Sequence, residues 1–442
     1  MGTSPQWLPL SPTRCPDSWD AAGTLRRRSR RSVFWRIECF TISVKSVVGA
    51  GPVGVVAALA CAQNNFAVTV LEAESKVDDS PRAATTHPAT LEMIDRLGLI
   101  QSFIEQGLVA RYFHFWDRPT RTRVAEFDHD LLREQTEFPF VVQTEQHKLA
   151  NMGLARLREY AEADIRFETR VTSVRQDATA VLATTEGPNG IEEFRADYLI
   201  GADGGRSTIR KALDIDFEGY TWPERFLIFT VMDDFQQLLP CCYRNYFADP
   251  QEWVNLFKIA GDDGKGRWRA CFPAQIDEPE DHALSDEVVH SRLQSAFPKT
   301  APYNLVHRNL YKTHQRVAAK FRVGRVFLAG DAAHVNNPIG GLGLNCGIHD
   351  AMELAGTLDQ VVHGLADELL LDRYERRRRP MNIQFVQEAT IANKRRLEEN
   401  DPKVRRANLD ELRARAEDPV RHKEFLMRSS LIESVRKAAL IA

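Results

Sequence analysis

Residues 47–74 read "VVGAGPVGVVAALACAQNNFAVTVLEAE". Gly49, Gly51 and Gly54 form G-x-G-x-x-G between the apolar pair Val47-Val48 and an Ala-rich run from Val53 to Gln63. Asn64 and Asn65 break that run, and Ala67 to Leu71 reads as a second buried strand ending at Glu72. Strand, glycine turn, helix and strand, with an acid roughly 20 residues on, make up the whole dinucleotide-binding arrangement. The first glycine permits the tight turn and the second lets backbone approach a pyrophosphate. The third lets helix and strand pack closely. The helix start adds partial positive charge, and Glu72 can accept hydrogen bonds from ribose hydroxyls. One feature disagrees: a parallel strand should be apolar on both faces, yet "TISVKSVV" places Lys45 and Ser46 just before Val47. Either the strand is short or the sequence upstream of Val47 is not native to the fold.

Two further turns carry the same kind of signal. Residues 325–351 read "RVFLAGDAAHVNNPIGGLGLNCGIHDA". Val326 to Ala329 predicts a buried strand feeding a turn at Asp331, with a helix from near Asn345. Gly340, Gly341 and Gly343 at that helix opening predict backbone N–H groups aimed at a ligand. Residues 198–213, "YLIGADGGRSTIRKAL", predict a strand, then Asp203-Gly204, then Arg206-Ser207 opening a helix. All three turns put Gly or Asp at the end of a strand, where open α/β sheets bind ligands. In "PRAATTHPATLEMIDRLGLI", 81–100, Pro88 starts a helix with Leu91, Ile94 and Leu97 as its stripe, stopped by Gly98. Arg82 lies in the loop before it, as a surface residue or as a cation near a pyrophosphate.

Elsewhere the chain predicts aromatic strands over 110–146, a helix over 147–163, short alternating strands over 220–312, and helices from 345 onward. "YERRRRPMN", 374–382, reads as a solvated helix face beside acidic helices. His334 reads as structural, and His349 with Asp350 as a helix-surface pair. The balance of 58 basic and 61 acidic residues, net −3, argues against a nucleic-acid or anionic-membrane partner. No apolar run is long enough to span a bilayer. The seven cysteines are scattered and lack C-x-x-C, so no disulfide framework or metal site is expected. A reducing, cytoplasmic setting is expected. Residues 1–40 lack an apolar h-region. Gln6 spoils a myristoylation pattern, and Asp17 and Asp20 count against a mitochondrial presequence. They are expected to be a disordered or non-native extension outside the fold.

The three motifs in this order resemble the single-component (class A) FAD-dependent aromatic hydroxylases, the group of para-hydroxybenzoate and phenol hydroxylases. The resemblance covers about residues 44–380, and "PRAATTHPATLEMIDRLGL" is similar to a segment of members acting on phenols. It implies an α/β fold: a Rossmann-like, glutathione-reductase-type FAD domain from 41–110, 140–215 and 313–380, interleaved with a mixed-sheet substrate domain from 111–139 and 216–312. Helices over 381–442 follow. It implies that Gly49, Gly51 and Gly54 hold the FAD pyrophosphate and Glu72 the adenosine ribose, with Arg82 along the pyrophosphate–ribityl region. Gln146 looks like the family's flavin-contacting glutamine, with Gln143 as a competing match. Asp203, Gly204 and Arg206 are associated with FAD and nicotinamide binding, and Asp331 with the ribityl hydroxyls. Pro338 falls beside the flavin's reactive edge. Gly341, Gly343, Leu344 and Asn345 fall by backbone at the pyrimidine end.

The implied activity is NAD(P)H- and O₂-dependent hydroxylation of a small phenolic or polyketide-like aromatic through a flavin hydroperoxide, by a monomer or homodimer. No second G-x-G-x-x-G serves NAD(P)H, as in the family. Tyr243, Tyr246, Trp268 and Arg269 are pocket candidates, although core or surface placement is the commoner fate of such residues. No side-chain base is identified. A flavin reductase or dehydrogenase, a halogenase, or a non-catalytic protein on the same scaffold are the alternatives; a halogenase lacks support because no W-x-W-x-I-P stretch occurs.

Overall fold

The computed structural model describes residues 44–80 and 82–442. The expected extension at 1–40 therefore lies outside the described residues. Val44–Val48 (β1) runs into the glycine turn, Pro52–Gln63 (α1) leaves it, and Ala67–Leu71 (β2) returns parallel to β1. Tyr198–Gly201 (β3) pairs parallel on the other side of β1, and Val326–Leu328 (β4) pairs parallel beyond β3. The six-stranded sheet thus runs Arg322–Val323, β4, β3, β1, β2, Ala163–Arg166. Because these four central strands point the same way, the three turns that follow β1, β3 and β4 meet at one sheet end.

Lys45 and Ser46 lie inside β1 and are buried. The Lys45 ammonium sits 4.8 Å from the Phe66 ring centre and 4.7 Å from that of Tyr198, contacts that soften its burial. Burial still draws its pKa down to about 8, with Asp197 opposing the shift. The anomaly in the sequence is therefore a cation packed between rings within a five-residue strand.

Every residue of α1 from Gly54 to Ala62 is buried, as befits a helix that is apolar all round. Two helices cross it at glycines. A Cβ at Gly153, in Gln146–Leu157, would stand 2.5 Å from Val55; one at Gly347, in Gly343–Val362 (α2), would stand 2.6 Å from Val53. α2 starts at Gly343, slightly before the expected Asn345. It is a central helix, which corrects the surface placement of His349 and Asp350: their exposures are 2% and 0%. The basic run is corrected too. In the helix Asp372–Asn382, Arg378 is buried and pairs with Asp350 at 2.7 Å, while Arg377 reaches Glu353 and Arg379 reaches Glu218. Three of the run's four arginines thus face acidic partners, while Arg376 stays exposed.

The second large sheet has eight strands, in the order His334–Val335, Leu305–Ala318, Phe217–Val231, Arg267–Pro273, Val254–Ile259, Arg244–Ala248, Tyr112–Asp117, Thr122–Asp128. Alternation gives it two faces. Phe113, Phe115, Phe226, Tyr246 and Cys271 pack toward Ile339 and Leu342 of the glycine loop. Trp116, Phe229, Phe247, Trp268 and Phe272 pack on the other side, against Val289 and Leu293. Trp268 thus points away from the loop. Tyr243 sides with it, since the Lys258 ammonium lies 5.5 Å from Trp268 and 5.2 Å from Tyr243.

Candidate cofactor groove and active site

Main-chain bonds lock the three turns together. The Gly49 amide donates to Leu71 O at 2.8 Å, the Ala202 amide to Val48 O at 2.8 Å, and the Ala329 amide to Gly201 O at 2.9 Å. Gly49, at φ +105°, lies so close to Ala202 that a Cβ would stand 2.5 Å from its carbonyl oxygen. Gly54 is tighter still, its hypothetical Cβ 2.0 Å from Gly49 O. At Gly51 a Cβ would meet nothing within 4 Å. Two glycines of the motif are therefore required by the protein's own backbone, and the middle one borders open space.

Glu72, at the end of β2, accepts from the Ala50 amide at 2.6 Å and the Glu74 amide at 3.0 Å. It is fixed beside the turn with acceptor capacity to spare. Arg82 is exposed and pairs with Asp78 at 3.1 Å. Asp331 follows β4 in the short turn Gly330–Ala332. Its carboxylate is solvent-accessible and has no hydrogen-bond or ion-pair partner among the described residues. Surrounding protein raises its pKa by desolvation, while the charges of His334 and Arg82 work against the shift. Arg82 is thus within electrostatic reach of Asp331.

In the second turn, Asp203 accepts from Ser207 Oγ at 2.6 Å and from the Thr208 and Ile209 amides at 2.7 and 3.1 Å. Its carboxylate holds its own loop, and burial raises its pKa. Gly204 has φ +77°, and Arg206 is exposed. Arg210, which the sequence did not single out, donates to Gly205 O and Ala332 O at 2.9 and 2.8 Å, and so ties the second turn to the third.

The third turn opens into the loop before α2. Pro338 is exposed, and its carbonyl accepts from the Gly341 amide at 3.0 Å. Leu342 caps α2 without a side-chain hydrogen bond, so the amides of Gly343 and Leu344 open the helix uncapped. The buried Asn345 side chain donates to Thr85 O at 2.8 Å and Gly341 O at 2.6 Å, and accepts from the His87 amide at 2.8 Å. It clamps the loop to residues 85–87. His87 Nε2 adds a 2.9 Å contact to Gly340 O. His87, the residue before the helix-starting Pro88, is buried, and desolvation drives its pKa well down, helped by the charge of Arg244.

The two competing glutamines differ in setting. Gln146 begins its helix, half-buried, with its amide on Ala83 O at 3.2 Å. Gln143 is fully buried; Thr85 Oγ1 donates to its Oε1 at 2.6 Å and its Nε2 has no partner among the described residues. Behind the loop, Asp350 accepts from the Gly330 amide at 3.2 Å, lies 2.6 Å from His334 Nε2 and pairs with Arg378. Burial opposes charge on both His334 and Asp350, but their mutual attraction prevails: the imidazole is lifted to about 10 and the carboxyl lowered. His334, Cys346 and Asp350 come within 4.8 Å of one another. Arg378 already occupies that cluster, donating to both Asp350 and Cys346, and a cation there would repel a metal ion.

Residues that are compatible with FAD therefore line one sheet end: open space at Gly51, a fixed acceptor at Glu72, an unpartnered carboxylate at Asp331 and an uncapped helix start. Comparison with known proteins agrees. A family model described as an FAD binding domain matches residues 41–389. The chain is 37% identical over 366 residues to a para-nitrophenol 4-monooxygenase of Pseudomonas sp. strain WBC-3, covering 81% of this chain and 88% of the relative. It is 34% identical to a 6-hydroxy-3-succinoylpyridine 3-monooxygenase of Pseudomonas putida, over 80% of this chain and 89% of that protein. The crystal structure of a p-nitrophenol 4-monooxygenase from Pseudomonas putida DLL-E4 superposes with a TM-score of 0.83 at 32% identity, covering 89% of this chain and 98% of that one. The chain belongs to the family of FAD-dependent aromatic hydroxylases and is an FAD-dependent monooxygenase acting on aromatic compounds.

Proposed function

We propose that the protein hydroxylates a small, electron-rich hydroxylated aromatic, with NAD(P)H as reductant and O₂ as oxidant, in a reducing cytoplasmic setting. The two Pseudomonas relatives, which act by name on a nitrophenol and a hydroxypyridine, support that substrate class. The observation that carries the reading is the Asp331 carboxylate, unpartnered between the open turn at Gly51 and the uncapped start of α2. When bound, FAD supplies the redox and oxygen chemistry.

The chain's residues would do the rest. The amides around Gly51 take the pyrophosphate, with Glu72 on the ribose. Asp331 and Arg82 hold the linking chain, with Asp203, Gly204 and Arg206 beside them. Gly341, Gly343, Leu344 and Asn345 present backbone to the pyrimidine end, where the helix start favours negative charge. Pro338 borders the reactive edge. Of the two glutamines, Gln143 suits a cofactor contact better than Gln146, because its buried Nε2 lacks an acceptor. The face of the eight-stranded sheet bearing Tyr246 and Arg269 closes the pocket and excludes water. No helix among the described residues is long and apolar enough to cross a membrane.

The test is spectroscopic and kinetic. Purified protein should be yellow, and a phenol panel should stimulate NADH or NADPH oxidation with labelled oxygen entering the product. Stimulated oxidation that leaves every phenol unlabelled would turn the reading into a reductase.

A further inference from the structure

The face of the eight-stranded sheet that meets the glycine loop holds a charge with no counter-ion among the described residues. Arg244 begins the strand Arg244–Ala248 and is 3% exposed. Its guanidinium carbon lies 5.1 Å from the Phe113 ring centre, and its Nη2 makes one long bond, 3.4 Å, to Tyr246 Oη. Nε and Nη1 are buried with no hydrogen-bond partner among the described residues. A guanidinium cannot shed its proton, and an uncompensated buried cation is unfavourable. Arg269, the other buried guanidinium on this face, also leaves its Nε unpartnered, but its Nη1 is anchored on Arg82 O. With one Nη2 hydrogen given to Tyr246 Oη, the other edge of the Arg244 fork keeps two hydrogens for two oxygens on one atom.

The surroundings narrow the partner. Phe115 stacks on Tyr246 at 5.1 Å, Phe257 meets it edge-on at 5.7 Å, and Phe113 lies 6.4 Å away. Such an aromatic wall is one against which a flat ring packs well. Two imidazoles feel the charge: burial and then Arg244 keep His87 and His129 neutral, and His87 touches Gly340 of the glycine loop. Resting on the hydroxylase reading above, we infer that Arg244 is a specificity residue that binds a planar two-oxygen group, carboxylate or nitro, carried by the aromatic ring to be hydroxylated.

The test uses FAD-loaded wild type, Arg244→Met and Arg244→Lys, with 4-hydroxybenzoate, 4-nitrophenol and 4-methylphenol titrated by calorimetry. Wild type should bind one of the two oxygen-bearing probes at least about tenfold more tightly than 4-methylphenol, and which one it prefers separates carboxylate from nitro. Arg244→Met should weaken that probe about 100-fold and 4-methylphenol less than about threefold, because the loss falls on one charge-assisted contact. Arg244→Lys, a point charge without a fork, should fall between them, and it carries the test should the Met variant fail to retain FAD. Without any probe, the Met variant should melt no lower than wild type, because it removes an unpaired buried charge. Equal weakening for all three probes, or a wild type without the preference, overturns the inference. A holoenzyme that binds with this preference yet yields no hydroxylated product counts against the hydroxylase reading and leaves Arg244 standing.

Discussion

Gly51 and Gly54 lie three positions apart and look alike in the motif, but their surroundings predict opposite failures. A valine at Gly54 must place Cβ against the Gly49 carbonyl, and backbone cannot step aside as a side chain can. Gly54→Val should cost about 3 kcal/mol or more, read by denaturant unfolding of the FAD-free protein. Gly51→Val meets open space instead, so the FAD-free protein should unfold within about 0.5 kcal/mol of wild type while failing to take up flavin. A Gly51→Val protein that purifies yellow would refute the pyrophosphate assignment. Asp331→Ala should weaken FAD by about tenfold to 100-fold, the range for a lost charge-assisted hydrogen bond, measured by fluorescence titration. Because Asp331 has no hydrogen-bond or ion-pair partner among the described residues, stability without FAD should not fall. The glycine turns and Asp331 were legible as residues; the distinction between Gly51 and Gly54 was not, since it depends on Ala202 and Gly49 O, which only the fold brings near.

At the scale of elements, α2 joins the two halves of the site: its start faces the groove, and Asp350 holds its first turns to His334 and Arg378. Asp350→Asn leaves two buried cations facing one another and should cost about 3–5 kcal/mol. The pH dependence has a definite sign. His334 titrates near 6.5 when unfolded and near 10 when folded, so the native state holds the extra proton between those values. Its contribution is fully present below about pH 6.5 and is lost as pH rises through about 10. The stability difference between wild type and His334→Gln should therefore shrink across that interval in urea unfolding; a difference that grows would refute the pairing. Sequence patterning missed this element's burial because α2 carries polar residues on a buried face. A His-Asp pair on a helix has no local sign of the Arg378 that will meet it.

For the molecule as a whole, His87, His129 and His349 are buried without an ion-pair partner among the described residues and stay neutral. Burial holds His129 and His349 at about 3 and His87 well below its usual value. The unfolded chain binds protons at all three near pH 6.5 and the folded chain does not, so stability rises with pH across this range. Acidification from about pH 6.5 toward pH 3 should lower stability by up to about 1.4 kcal/mol per pH unit for each imidazole. Replacing His349 with Gln should flatten the slope by at most the share of one imidazole, measured by urea midpoints across the series. An unchanged slope would show that His349 takes up its proton in the native state.

The sequence by itself determined the nucleotide-binding fold, because strand, turn and helix patterning and glycine placement act over a few residues. It also carried the family resemblance, since three turns in a given order are a linear property. Only the tertiary structure decided that Lys45 sits between Phe66 and Tyr198, that Arg378 serves Asp350, that Trp268 faces away from the loop, and that Arg244 is left unpaired. Each of these rests on burial and on charge compensation between residues far apart in the chain. The free energy of a buried charge depends on what the fold sets beside it, and local sequence does not encode that neighbour.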